Sequence, residues 1–213
     1  MQIAIAVYPG FMALDVVGPY EVLSRLPGAE VVFVADGPGS VSVSDSVGAL
    51  RISAVSLDGV PAPDLVLVGG GEQARLGPAR RLHPWLRTVD RTSTWTAAVG
   101  TGALILAEAG LLDGRLATTR WWATEQLTHR GARASGTAVA IDGKYVTGAG
   151  VSAGIDLALT LAGVIAGDEV AQAIQLIVEY SPEPPYGAGT PRSAPASVRE
   201  HVLARRGDVE RAV

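Results

Sequence analysis

The chain has 213 residues and a formal net charge of −4, with 17 Lys and Arg residues against 21 Asp and Glu residues. This length favours a single domain, and the absence of Lys/Arg blocks argues against nucleic acid or an anionic membrane as a partner. Cysteine is absent, which excludes disulfides, thiolate metal sites and thiol catalysis.

The chain starts with an apolar run that is too short to span a bilayer and lacks the charged start of a signal peptide. We therefore expect a cytoplasmic protein. Short apolar runs then alternate with helical periodicity, which is typical of β-α-β units around a parallel sheet. The predicted strands are residues 3–7, 30–35, 65–68, 94–99, 116–117 and 145–147, and the predicted helices are 13–25, 102–110 and 154–166.

Two further segments lie outside this alternation. Residues 36–59, rich in Gly, Ser and Val, predict a β-ribbon or an irregular excursion. From about residue 181 the sequence is rich in Pro and Gly and predicts an extended arm, of a kind that commonly wraps a partner subunit. We expect one domain over residues 1–195 that includes this arm, followed by a tail or short helix over residues 196–213.

Ligands of open parallel sheets bind beyond the carboxyl ends of the strands, so the residues that follow each strand are the first candidates for a site. Asp15 follows the first predicted strand among Leu14, Val16 and Val17. A buried unpaired charge is expensive. Asp15 is therefore either a helix cap or a functional acid.

A glycine triplet in Val68-Gly69-Gly70-Gly71-Glu72 follows the third predicted strand. Here the N–H groups of Gly70 and Gly71 can approach a ligand or an oxyanion. The triplet is equally compatible with a simple tight turn. No Lys-Ser/Thr pair follows it and the dinucleotide-binding spacing is absent, so it is not a phosphate loop.

Gly100 lies at the apex of a strand, Gly-rich turn and helix that together resemble a nucleophile elbow. The apex of such an elbow has a positive φ, which glycine adopts without strain. Gly100 thus suits the backbone but supplies no nucleophile. Thr101 adds a hydroxyl and an N–H group at a helix N-terminus, or it caps that helix.

Arg120, Trp121 and Trp122 follow the fifth predicted strand and form a candidate wall for a flat or apolar ligand. Alternatively, one tryptophan packs in the core and Arg120 forms a surface ion pair. Ser152 is a candidate helix cap, and Asp156 is a candidate partner for Arg120. The three histidines lie outside these turns and no metal-ligand spacing is present, so we expect no metal site.

These ordered motifs resemble the DJ-1/PfpI superfamily, specifically its isocyanide (isonitrile) hydratase branch, over about residues 1–195. The motifs are Tyr8-Pro9, Leu14-Asp15, Gly18-Pro19-Tyr20-Glu21, Val68-Gly69-Gly70, Val99-Gly100-Thr101-Gly102, Thr118-Thr119 with Trp121, Gly154-Ile155-Asp156, and Glu179-Tyr180 with Pro182. The resemblance implies an α/β flavodoxin-like three-layer sandwich with a mainly parallel central sheet, and a homodimer.

The resemblance also implies hydration of an isocyanide to an N-substituted formamide without a cofactor. In that branch an elbow cysteine attacks the isocyanide carbon, and an acid that matches Asp15 manages the protons. This chain departs from the pattern twice. Gly100 stands at the position of the cysteine, and Arg120 stands where relatives typically have histidine.

We therefore expect a cofactor-free enzyme that uses noncovalent acid/base catalysis on a small apolar or aromatic substrate. Hydration, isomerisation, elimination and cyclisation all remain open. The expected catalytic residues are Asp15 and Thr101, and the expected substrate-binding residues are Gly70, Gly71, Gly100, Arg120, Trp121, Trp122 and Ser152. One alternative is a noncatalytic small-molecule-binding protein, and another is an isocyanide hydratase whose nucleophile was removed by engineering.

Overall fold

A computed structural model describes residues 1–37, 39–71 and 78–204. Glu72 of the glycine turn and residues 205–213 of the predicted tail lie outside the described residues. The strands are β1 Gln2–Ala6, β2 Glu30–Ala35, β3 Ser40–Ser44, β4 Arg51–Ser56, β5 Leu65–Val68, β6 Trp95–Val99, β7 Leu116–Ala117, β8 Arg133–Ala134, β9 Val139–Asp142 and β10 Tyr145–Gly148. The helices are α1 Ala13–Leu23, α2 Leu82–Val89, α3 Gly102–Glu108, α4 Thr124–Thr128, α5 Ala153–Ala166, α6 Asp168–Ile177 and α7 Ala196–Ala204.

Eight of these strands form one sheet in the order β3-β4-β2-β1-β5-β6-β10-β9. The six strands from β4 to β10 run parallel, and the edge strands β3 and β9 are antiparallel to their neighbours. Every residue of β5 is buried, as a parallel strand covered on both faces requires. The predicted mainly parallel sheet is confirmed.

The strand order reverses between β1 and β5. The chain leaves β1 through α1 to reach β2 on one side, and it leaves β5 through α2 to reach β6 on the other. Because such crossovers are right-handed, α1 and α2 cover opposite faces of the sheet. Helix α5 packs against α1 and α6, and α3 packs against α2 and α4. The result is the predicted flavodoxin-like three-layer sandwich, with a crevice beyond the carboxyl ends of β1 and β5.

The predicted elements agree with the structure to within two residues at their ends, and the ribbon predicted for residues 36–59 is the hairpin of β3 and β4. The sequence interpretation missed α2, α4, α6, β8 and β9. Helix α2 buries Leu82, Leu86 and Val89 at helical spacing, so the apolar periodicity of the sequence could have predicted this helix. The missed α4, β8 and β9 are too short for periodicity to reveal them. Within the described ranges, no helix is long and apolar enough to cross a membrane.

Candidate active site

Three turns meet at the carboxyl ends of β1, β5 and β6, because these strands are neighbours in the sheet. Asp15 lies in the first turn of α1, and its Oδ2 accepts a hydrogen bond from the N–H of Gly70 at 3.0 Å. The Met12 N–H donates to the Gly70 carbonyl at 2.7 Å, which fixes the start of α1 against the glycine turn. The fold thus brings together residues that are far apart in the sequence.

Asp15 does not cap its helix. Met12 is the N-cap residue of α1 and no side chain makes a capping hydrogen bond there, so the capping interpretation of Asp15 is wrong. Asp15 is fully buried, because its carboxylate extends across to the turn that follows β5. Its role as a functional acid stays a prediction.

Burial raises the pKa of Asp15 from 3.8 to about 6, although the Arg120 guanidinium and the Gly70 N–H both lower it. Arg120 Nη2 lies 3.7 Å from Asp15 Oδ1, which is too far for a hydrogen bond. Neither of these two atoms has a hydrogen-bond partner among the described residues. Asp15 therefore has one oxygen held by the backbone and one buried oxygen without a hydrogen-bond partner among the described residues.

Gly100 has a φ of +59°, as predicted for the apex of an elbow. A Cβ at this position would lie 2.6 Å from Asp15 Oδ2 and 3.2 Å from Arg120 Nε. The first distance is shorter than real Cβ contacts allow. The Asp15 carboxylate thus occupies the space that a side chain on residue 100 would need.

Thr101 links the two glycine-containing turns. Its hydroxyl accepts a hydrogen bond from the Gly71 N–H at 3.0 Å and lies 3.1 Å from the Gly71 carbonyl, to which it donates. Thr101 is the N-cap residue of α3, but its side chain makes no capping hydrogen bond. The expectation that the N–H groups of Gly70 and Gly71 face a substrate is corrected here, because Asp15 and Thr101 already accept from them.

Tyr8 is a component of this centre that the sequence interpretation did not single out as a site residue. Its side chain is buried, and its hydroxyl donates to the Gly69 carbonyl at 3.1 Å. Burial and the nearby Asp15 charge raise the pKa of Tyr8, so the hydroxyl stays protonated as a donor. The sequence signal that could have identified Tyr8 is its position directly after the first predicted strand.

A cavity of about 1030 Å³ lies beside this buried centre. Its wall includes Arg120, Trp121, Trp122, Ser152 and Leu14, together with Gly189, Thr190, Pro191 and Arg192 from the C-terminal arm. The predicted site residues therefore divide into two groups. Asp15, Gly70, Gly71, Gly100 and Thr101 form the buried centre, and Arg120, Trp121, Trp122 and Ser152 line the cavity.

Arg120 joins the two groups, since it lines the cavity and approaches Asp15. It is 9% exposed, so the interpretation as a surface ion pair is wrong. Its Cζ lies 5.2 Å from the centre of the Trp122 ring. Trp121 and Trp122 are half-buried and make an edge-to-face contact with centroids 5.4 Å apart. Both tryptophans line the cavity, and Trp122 also packs against the core, as the alternative predicted for one of them.

On the last strand–helix turn, Ser152 is the N-cap residue of α5, as predicted, although its side chain makes no capping hydrogen bond. The predicted pairing of Asp156 with Arg120 is wrong. Asp156 accepts a hydrogen bond from the Tyr180 hydroxyl at 3.0 Å, whereas the carboxylate near Arg120 is Asp15. Across the described ranges, no group of three or more His, Asp or Glu residues is placed to hold a metal ion.

Comparisons with known proteins agree with this fold. The sequence model of the DJ-1/PfpI family matches residues 1–163. The chain is 36% identical over 208 residues to the isonitrile hydratase of Pseudomonas putida, covering 96% of this chain and 90% of that protein. Among solved structures, a THiJ/PfpI family protein from Pseudomonas syringae matches with a TM-score of 0.89 and 29% identity, over 98% of this chain and 87% of that one.

A regulatory protein is also similar. The HTH-type transcriptional regulator CdhR of Pseudomonas aeruginosa is 36% identical over 146 residues. That match covers 66% of this chain and 41% of the regulator.

Proposed function

Because the chain belongs to the DJ-1/PfpI family, we propose that it is a hydratase-like enzyme that acts on a small apolar or aromatic molecule by proton transfer through Asp15. The observation that carries this proposal is the fully buried Asp15 carboxyl, whose Oδ1 has no partner among the described residues. A pKa of about 6 lets one group both accept and donate a proton near neutral pH. The similarity to an isonitrile hydratase supports hydration as the first reaction to test.

In a hydration, the Asp15 carboxylate accepts a proton from a water molecule as the water oxygen bonds to an electrophilic carbon of the substrate. The protonated Asp15 then donates that proton to the substrate atom that has received the electron pair. The net change is the addition of one water, and Asp15 returns to its initial state. Isomerisation, elimination and cyclisation would use the same exchange of one proton.

The surrounding residues have distinct roles in this proposal. Gly70 and Thr101 hold the buried centre in place, and the missing side chain at Gly100 leaves room for the Asp15 carboxylate. Trp121 and Trp122 orient the substrate in the cavity. Arg120 lines the cavity and approaches Asp15, so we expect it to contact a substrate that reaches the carboxyl.

The test uses a panel of aromatic isocyanides and nitriles, with mass spectrometry to detect the gain of one water. We expect Asp15→Asn to lower kcat by about 10² to 10⁴, the usual contribution of a general acid or base. Asp58→Asn, a matched change in an exposed turn, should retain wild-type turnover. Circular dichroism verifies the fold of each variant. Unchanged turnover in Asp15→Asn would exclude Asp15 as the proton-transfer group.

The second candidate is a noncatalytic protein that binds a small molecule. The similarity to a transcriptional regulator favours it. A probe that binds tightly and is recovered unchanged after long incubation would select this candidate over the enzyme. Gly100→Cys addresses the engineered-hydratase alternative, and formation of a formamide from an aromatic isocyanide only in that variant would support it.

A further inference from the structure

Three unpartnered polar atoms are concentrated where the buried centre meets the cavity. Within the part of the chain that the structure describes, the buried side-chain polar atoms without a hydrogen-bond partner are Asp15 Oδ1, His83 Nε2, Arg120 Nη2 and Trp122 Nε1. Three of these atoms belong to neighbouring groups, because Arg120 approaches both Asp15 and the Trp122 ring. An unsatisfied buried polar atom destabilises a fold, so this cluster indicates a place for a polar group of a bound molecule.

The chemistry of the three atoms restricts that polar group. The Arg120 guanidinium and the Trp122 indole N–H are donors only. A guanidinium presents a planar fork of N–H groups that matches the two oxygens of a carboxylate. An acceptor group with two oxygens satisfies both of these donors, and Asp15 Oδ1 remains available for the proton transfer proposed above.

The charge of the site points the same way. Arg120 is more than nine-tenths buried, so water screens its charge weakly. Its nearby counter-charge is Asp15, which it does not reach by a hydrogen bond. Of the other charged groups on the cavity wall, Asp156 is bound to Tyr180 and Arg192 is exposed on the arm. When Asp15 is protonated, the charge of Arg120 is no longer offset by its nearby carboxylate, and the inner end of the cavity then favours an anion.

We propose that the substrate carries a carboxylate on an apolar or aromatic body, with the carboxylate bound by Arg120 and Trp122. This inference rests on the proposed function in placing the substrate in the cavity. Trp121, Leu14 and Leu127 supply the wall for the apolar body. Asp15 is protonated when the acid binds, because two ionised carboxylates would repel each other. Hydration of such a substrate then begins with proton donation from Asp15 and ends when Asp15 regains a proton from the attacking water. Arg120 is then a specificity-determining residue for the acid.

The test compares two probes of nearly equal shape, phenylacetate and phenylacetamide, by calorimetric titration of the full-length protein. We expect wild type to bind the acid at least about tenfold more tightly than the amide. Arg120→Met should remove this preference by weakening acid binding by at least about tenfold, with amide binding within about threefold of wild type. Arg120→Lys, which keeps the charge but not the planar fork, should retain part of the preference.

Two further variants test which residues recognise the carboxylate. Arg192→Met replaces the other arginine on the cavity wall and should leave the preference for the acid unchanged. Trp122→Phe should weaken acid binding by about three- to tenfold, because one donor is lost. A preference that disappears in Arg192→Met and persists in Arg120→Met would overturn the assignment to Arg120.

The wild-type comparison decides the proposal even if Arg120→Met fails to fold. Equal or tighter binding of the amide overturns it, and so does the absence of binding of either probe at millimolar concentration. These results are separable from the proposed function, because binding does not require turnover. Loss of turnover in Asp15→Asn alongside a preference for the amide would retain the enzyme and reject the carboxylate. A preference for the acid together with unchanged turnover in Asp15→Asn would retain the carboxylate site and reject Asp15 as the proton-transfer group.

Discussion

At the scale of single residues, Gly100 determines where the Asp15 carboxylate lies. A Cβ on Gly100 would approach Asp15 Oδ2 to 2.6 Å, so any side chain there would displace the carboxylate. Arg120 Nε would also lie close, at 3.2 Å. The buried centre is therefore organised around a missing side chain, and adding one changes the position of the proposed acid.

This dependence predicts a difference between two glycine substitutions. Gly100 and Gly114 have similar φ values, +59° and +66°, but a Cβ on Gly114 would contact nothing within 4 Å. We expect Gly114→Ala to lower the free energy of unfolding by about 1 kcal/mol, the cost of a side chain at positive φ. Gly100→Ala should cost about 1 to 3 kcal/mol more, because Asp15 must move. Urea denaturation measures both, and equal losses would show that Asp15 moves at no cost.

The buried carboxyl also predicts a pH dependence of stability. The pKa of Asp15 is raised from 3.8 to about 6 in the folded protein. Between these values the folded protein binds the Asp15 proton more tightly than the unfolded chain, so stability falls as the pH rises from about 4 to above 6. Asn imitates the protonated acid and lacks this loss.

We therefore expect the stability of Asp15→Asn relative to wild type to increase by about 2 to 3 kcal/mol between pH 4 and pH 7. Urea denaturation of both proteins across this range provides the measurement. Because the prediction concerns how the stability difference changes with pH, the pH-independent effect of the substitution cancels. A difference that stays constant over the range would show that Asp15 has an ordinary pKa.

At the scale of elements, the buried centre depends on the contact between the turns that follow β5 and β6. Thr101 at the start of α3 exchanges two hydrogen bonds with the backbone of Gly71. The N–H group of Gly70, in the same turn after β5, also donates a hydrogen bond to Asp15 at the start of α1. Thr101 thus holds one wall of the arrangement that presents the acid.

We predict that Thr101→Val, which removes the hydroxyl at nearly constant volume, lowers the free energy of unfolding by about 1 to 3 kcal/mol, because the Gly71 N–H loses its acceptor. Thr101→Ser keeps the hydroxyl and should cost less than about 1 kcal/mol. Chemical denaturation of the two variants measures these losses. If Val and Ser are equally tolerated, the link between the two turns does not contribute to stability.

At the scale of the whole molecule, helices α5 and α6 expose large apolar side chains. On α6, Leu176 is 77% exposed and Ile177 is 66% exposed, and Val164 on α5 is exposed as well. Large exposed apolar side chains on two helices that pack together are typical of an interface. They support the proposal that two copies of the chain form a homodimer.

Sedimentation velocity should therefore find a dimer for wild type. The double variant Leu176→Glu, Ile177→Glu should shift the protein towards monomer, because the interface would bury two charges. Val47→Glu changes an exposed valine in the turn between β3 and β4 and should leave the dimer intact. A monomeric wild type would contradict the homodimer, and a dimeric double variant would place its interface on another surface.

The sequence by itself determined the local elements and the unusual residues. The apolar run of β5 is predicted at its observed bounds, because a strand buried on both faces needs continuous apolar side chains. The positive φ of Gly100 follows from the strand–turn–helix pattern. The absence of cysteine excluded a thiol nucleophile, and an acid among apolar neighbours identified Asp15 as a residue that needed a partner.

Only the tertiary structure decided which groups these residues contact. Asp15 and Gly70 are 55 residues apart, and Gly71 and Thr101 are 30 residues apart. Their contacts exist because β1, β5 and β6 are neighbours in the sheet. Periodicity reports which face of an element is buried but not which elements are adjacent. For this reason the sequence left Asp15 open between cap and acid and offered Asp156 as a candidate partner for Arg120, whereas the fold places Arg120 between Asp15 and the cavity.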